Sequence, residues 1–211
     1  MKLYDFAFSP NCRKVRAVGY ELGVTFEYAP VNLIQGEQRA PAFLARNPNG
    51  RVPVLEDGEL ILWESNAILL YLATKYAGPA PLVPSDMRDR ADVDRWLAWQ
   101  LAHLSPAASK VAFERIVKKF TGQGAPDPVQ IEAGTVEFAK MSAILDAALG
   151  DKEYVAGRLS VADFALAAVY STASACGLDV TPYKKLGAWL ERVLARNSMR
   201  RALADAAALA A

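Results

Sequence analysis

Residues Gly78 to Pro84 read Gly-Pro-Ala-Pro-Leu-Val-Pro, a run that neither an α-helix nor an inner strand can cross. Proline has no N–H to give to a helix or a ladder, and glycine loses the most freedom on ordering. The run divides the chain into a first domain over residues 1–77, a linker over 78–86 and a second domain over 87–211. The pattern changes across it: strand-like and helical runs alternate before it, and helical periodicity alone follows it. At 211 residues, 53% of them hydrophobic, the chain is long enough for one large domain or two small ones and apolar enough to bury a core.

Before the linker, Leu3 to Ala7 and Thr25 to Val31 read as strands, with Val15, Val18 and Leu22 at helical spacing between them. A Gln/Arg/Ala stretch from Gln38 to Ala45 leads to Val52-Pro53-Val54-Leu55, an Asp57-Gly58 turn and Leu60-Ile61-Leu62-Trp63. Asp-Gly between apolar runs signals a hairpin. A helix is predicted from about Ser65 to Ala77, with Ile68, Leu69 and Leu72 on one face. The first domain is therefore α/β in the order βαβαββα, and the second is an all-helical bundle with breaks near 122–128, 150–157, 177–182 and 197. Pro106 predicts a kink in its first long helix.

The formal charge is +1 and no Lys/Arg run occurs, which argues against nucleic-acid or anionic-membrane binding. No segment approaches ~20 apolar residues, and no apolar stretch follows the N-terminal charge, so the expected location is cytoplasmic. Two cysteines, Cys12 and Cys176, are too few for a disulfide scaffold, and His103 is the one histidine, so no metal site is expected. Cys176, in an apolar stretch, reads as an inert core thiol.

Chemistry concentrates at a few positions. Ser9-Pro10-Asn11-Cys12 lies where the first strand gives way to the first helix, with Cys-x-x-Cys spacing and Ser in the leading place. A helix N-terminus stabilises an anion, and a hydroxyl there can donate to the thiolate of a bound partner. Ser9 also fits a plain N-cap with Pro10 behind it. Pro53 is anomalous in a strand, and either a trans edge position or a cis Val52-Pro53 bond accounts for it; the cis form would free the Val52 backbone for a peptide ligand. Ser65 reads as the N-cap of the next helix, able to receive a carboxylate, while Gln38 and Arg51 could reach a second one. Beyond the linker, Trp96, Trp99, Gln100 and His103 share a helical face that is either a pocket wall or core. Ser160 to Asp163 forms a capping box with Asp in the Glu place, which points to folding.

Taken together, these features resemble the glutathione transferase family across essentially the whole chain. Ser9-Pro10-Asn11-Cys12 looks like its catalytic loop, Asn47-Pro48-Asn49-Gly50-Arg51-Val52-Pro53-Val54-Leu55 like its cis-proline segment, and Glu64-Ser65-Asn66-Ala67-Ile68 like its γ-glutamyl site. The Ser160 to Phe164 box looks like its folding signature. The resemblance implies a thioredoxin-like first domain, glutathione as co-substrate, a small hydrophobic electrophile as second substrate, and a homodimer. Ser9 would be the serine that activates glutathione in the theta, phi and zeta classes. Val52 and Pro53 would hold the cysteinyl backbone, Glu64 and Ser65 the γ-glutamyl end, and Gln38 and Arg51 the glycyl carboxylate. Pro10, Asn11, Trp96, Trp99, Gln100 and His103 would line the electrophile site. Two departures stand out: Tyr4 lies on the strand and no Tyr occupies the loop, and Cys12 resembles, in imperfect register, the cysteine of the beta and omega classes. The alternatives are a thiol-disulfide oxidoreductase or peroxidase using Cys12, and a non-catalytic binding module.

Overall fold

The computed structural model describes residues 1–208. It forms two compact units, one of residues 1–83 together with 195–208, the other of residues 84–194. The sequence reading assigns everything beyond 86 to the second domain; the difference lies in the last helix, which belongs with the first unit.

The first unit is built on a four-stranded sheet of β1 (Lys2–Asp5), β2 (Glu27–Pro30), β3 (Val54–Asp57) and β4 (Leu60–Trp63), in the order β2-β1-β3-β4. The β1–β2 pair is parallel, as the intervening helix α1 (Pro10–Glu21) requires, and the β3–β4 hairpin turns at Asp57-Gly58. Gly58 has a φ of 63°, the left-handed geometry that such a turn needs. A short helix α2 (Pro41–Leu44) precedes β3, and α3 (Ser65–Lys75) follows β4. The mixed sheet with helices is the thioredoxin-like arrangement, and the expected βαβαββα order is present.

Helix α1 is the keystone of this unit, with every residue from Cys12 to Gly19 buried. It packs against α3 and against the last helix, α10 (Asn197–Ala208). Polar bonds fix that last contact. Arg16 Nε donates to Asp5 Oδ2 at 2.5 Å and its Nη1 to Asp205 Oδ2 at 3.0 Å, while Tyr20 donates to the same Asp205 oxygen at 2.6 Å. Ser198 and Arg196 both bond Glu21 at the end of α1. A buried guanidinium needs such partners, and Asp205 is one of them.

The second unit holds α4 (Met87–Trp99), α5 (Ser105–Ala112), α6 (Lys118–Thr121), α7 (Pro128–Leu149), α8 (Val161–Tyr170) and α9 (Lys184–Leu194). Pro106, where a kink is expected, sits in the first turn of α5 directly behind a π-helical turn at Gln100–Leu104. That turn widens the ladder where Pro106 has no N–H to give. A second π turn, Phe113–Val117, joins α5 to α6. Helices α5 and α7 approach closely at Gly134, where a Cβ would lie 2.7 Å from Val111 Cγ2 and 3.1 Å from the Ala107 carbonyl oxygen. The centre of the unit is α8, buried along its whole length. Asp163 at its N-terminus accepts from Val155 N at 3.0 Å, Trp189 Nε1 at 2.9 Å, Ser160 N at 2.9 Å and Ser160 Oγ at 3.1 Å. One carboxylate thus ties the loop before α8, the helix start and α9 together, although burial still pushes its carboxyl above the usual carboxylate range. Among the described residues, no helix is long and apolar enough to cross a membrane.

Candidate active site

Ser9 ends the β1–α1 loop, with its N–H bonded to Phe6 O at 2.8 Å and its carbonyl receiving Arg13 N at 2.9 Å. It stands at the N-cap of α1 with Pro10 next, yet its hydroxyl makes no capping bond. The plain capping reading therefore leaves its side chain unexplained. A half-buried hydroxyl at the positive end of a twelve-residue helix is placed to donate to an anion.

Cys12, one turn on, is fully buried in a cluster with Val31, Phe43, Val52 and Val54. Its sulfur faces inward and accepts Phe6 N–H at 3.5 Å. Burial pushes the thiol well above its usual pKa, the Asp5 carboxylate adds to the rise, and the Ser9 hydroxyl opposes it weakly. A thiol held protonated and out of solvent has neither the charge nor the access that disulfide exchange needs. Tyr4, the other departure, donates its hydroxyl to Glu56 Oε2 at 3.1 Å.

The Val52-Pro53 bond is cis, and Val52 lies just outside the ladder, whose β1–β3 register ends at Val54 opposite Tyr4. The loop before it is organised by Asn47, a buried residue whose role the sequence reading passed over: its Nδ2 donates to Arg51 O at 2.7 Å and its Oδ1 accepts Asn49 N at 3.0 Å. Gly50 in this loop has a φ of 60°, and a Cβ there would lie 3.1 Å from the Gln38 carbonyl oxygen. Gln38, whose Nε2 reaches Leu33 O at 3.4 Å, and the exposed Arg51 consequently share one corner.

At α3 the expected register is off by one. Glu64, not Ser65, is the N-cap, and it adopts φ 69° and ψ 106°, the one non-glycine residue with positive φ among those described. Ser65 is the first helical residue, and its Oγ lies 3.4 Å from Asn11 Oδ1. The consequence is chemical: first-turn N–H groups of a helix have no internal acceptors, so the Glu64–Ser65 turn offers donors to a carboxylate beside an exposed acidic side chain. Lys14 donates to Asn66 Oδ1 at 2.6 Å, so α1 and the first turn of α3 are tied at two adjacent points. Ser9, Asn11, Val52, Glu64 and Ser65 thus come from elements of one unit that are packed or bonded to one another.

In the second unit the expected aromatic face divides. Trp96 is buried and Gln100 is fully buried, its Nε2 bonded to Ser105 Oγ, so neither presents a face to a flat ligand. Trp99 is half-buried and His103 exposed, their ring centroids 6.3 Å apart. Pro10 and Asn11 remain accessible in the first unit.

Comparison with known proteins covers both units. Residues 3–80 match the glutathione S-transferase N-terminal domain and residues 128–192 the glutathione S-transferase C-terminal domain. A probable glutathione S-transferase of Oryza sativa subsp. japonica is 35% identical over 95% of this chain and 94% of its own, and glutathione S-transferase 3 of Zea mays is 35% identical over 97% and 93%. Among solved structures, a glutathione S-transferase I bound with lactoylglutathione superposes with a TM-score of 0.86 at 29% identity, covering 96% of this chain and 98% of that one. With both domain models matched and relatives 35% identical over nearly its whole length, the chain belongs to the glutathione S-transferase family.

Proposed function

We propose that this protein is a serine-type glutathione transferase that joins the sulfur of glutathione to small hydrophobic electrophiles in the cytoplasm. The observation that carries the reading is Ser9, whose hydroxyl stands at the N-terminus of α1 without a capping bond. The glutathione backbone adds along Val52, its γ-glutamyl carboxylate meets the first turn of α3 at Ser65, its amino group faces Glu64, and its glycyl carboxylate faces Gln38 and Arg51. The sulfur then lies near Ser9. The thiol proton leaves to solvent, and the Ser9 hydroxyl and helix end stabilise the thiolate. Lowering a thiol pKa by about two units requires about 2.7 kcal/mol, within reach of one hydrogen bond and a helix terminus. The thiolate attacks an electrophilic carbon, a C–S bond forms, and the leaving group departs with its electron pair. Trp99 and His103 are the residues of the helical unit assigned to the electrophile.

The deciding experiment is glutathione-dependent conjugation of chlorodinitrobenzene by the wild-type chain and by Cys12→Ala. Comparable turnover in both is the expected result, since Cys12 is a buried core residue. Loss of turnover in a folded Cys12→Ala would point instead to thiol-disulfide chemistry.

A homodimer fits the edge of the sheet. Strand β4 leaves Leu60, Ile61 and Trp63 exposed, an apolar strip on an unpaired edge that a soluble chain ordinarily covers. Sedimentation is expected to give the mass of two chains, and Ile61→Glu to lower it; a monomer at micromolar concentration would remove the dimer from the account.

A further inference from the structure

Helix α1 carries Arg13, Lys14 and Arg16, and all three are buried. Cations on a helix are ordinarily solvated, and these three are not. Arg16 is explained by Asp5 and Asp205, the acidic groups that meet α1 from β1 and α10. Lys14 goes elsewhere: 1% exposed, it reaches Asn66 Oδ1 at 2.6 Å, directly behind Ser65. Glu64, on the α3 side, is the acidic group bearing on it, and the protonated Cys12 thiol lies on its own helix. A buried ammonium bonded to a neutral amide sits immediately under the turn assigned to the γ-glutamyl group.

We propose that Lys14 is a positioning residue for the γ-glutamyl end of glutathione, fixing the first turn of α3 through Asn66 and supplying positive charge beneath the α-carboxylate that binds there. The proposal rests on the glutathione reading given above. Burial holds Lys14 down to about 7, with Glu64 opposing that fall, so near neutral pH the ammonium is only partly charged. A carboxylate arriving at Ser65 favours the charged form, and Lys14 takes a proton from solvent as the ligand binds. By linkage, charged Lys14 holds the ligand more tightly, so affinity falls as pH rises through the Lys14 pKa. Lys14 touches the ligand only through Asn66 and the backbone of the turn.

The test uses S-methylglutathione, whose blocked thiol removes Ser9 chemistry from the readout. Calorimetric Kd values are measured between about pH 6 and pH 8.5 for the wild type, Lys14→Met and Lys14→Arg. A one-and-a-half-unit rise of the Lys14 pKa on binding corresponds to wild-type Kd weakening about tenfold across that range. Lys14→Met is expected to bind at least tenfold more weakly at pH 6 and to follow only the ligand's own titration. Lys14→Arg, charged throughout, stays tight and likewise follows only the ligand's own titration. Should the arginine fail to pack, Asn66→Leu separates the ammonium from the turn and is expected to raise KM for glutathione while leaving kcat within about twofold. A Lys14→Met profile with the wild-type slope, or a wild-type affinity independent of pH, would overturn the proposal. No binding by the wild type at any pH would overturn the glutathione reading itself, and this inference with it.

Discussion

Ser9→Ala is expected to lower the conjugation rate at neutral pH about a hundredfold while leaving the affinity for glutathione within about threefold. The reason is the division of labour in the site. Binding is assigned to Val52, Glu64, Ser65, Gln38 and Arg51, which the substitution leaves in place; Ser9 acts on the sulfur alone. Removing one preorganised donor from a developing or resident anion costs on the order of a hundred- to a thousandfold in comparable sites. The fold should not change, because the Ser9 hydroxyl makes no capping bond and its backbone bonds to Phe6 and Arg13 survive in alanine. Steady-state kinetics as a function of pH checks this. The loss should shrink at alkaline pH, where glutathione ionises unaided, and a loss below about threefold at neutral pH would mean that Ser9 is not the activating group.

Asp163→Ala has the largest expected effect on stability, a loss of about 3 kcal/mol or more and a fall in Tm on the order of 10 °C. Four donors point at this one buried carboxylate: Val155 N, Trp189 Nε1, Ser160 N and Ser160 Oγ. Alanine leaves all four without an acceptor inside a core where water does not replace it. Asp163→Asn should fall between the two. Its amide oxygen can still serve Val155 and Trp189, but its NH2 meets the Ser160 N–H, donor against donor. Calorimetry or denaturant titration distinguishes the three proteins, and an Asp163→Ala with wild-type stability would show that the box is not what holds α8 in place.

The box was legible in the sequence because a capping box is a local code: Ser160 and Asp163 are three residues apart. The hairpin at Asp57-Gly58 and the breaker run at 78–84 were legible for the same reason, and so was the order of elements in the first unit. What escaped involves partners distant in sequence. Asp205 bonds Arg16 across 189 residues, and no periodicity announces that α10 belongs with the first unit. The cations of α1 were invisible as buried groups, since a Lys in a helix reads as solvated until its partner Asn66, 52 residues away, is known. Helical spacing left the stripe of Trp96 and Gln100 open as pocket wall or core, and the family resemblance put it on the pocket; spacing says which residues share a stripe, not whether the stripe faces core or ligand. The π turn at Gln100–Leu104 rotates that stripe as well. At Glu64 the one-residue error in the cap has a physical cause: side-chain preference favours Ser as a cap, and only the fold imposes the positive φ that makes Glu64 the cap instead.

Ser9 is assigned one task, to lower the pKa of bound glutathione. The most direct test is the ultraviolet thiolate absorbance of glutathione titrated on the wild type and on Ser9→Ala. A wild-type midpoint about two units below that of free thiol is expected, returning to near the free value in Ser9→Ala; the same midpoint in both proteins would mean that Ser9 does not activate the thiol.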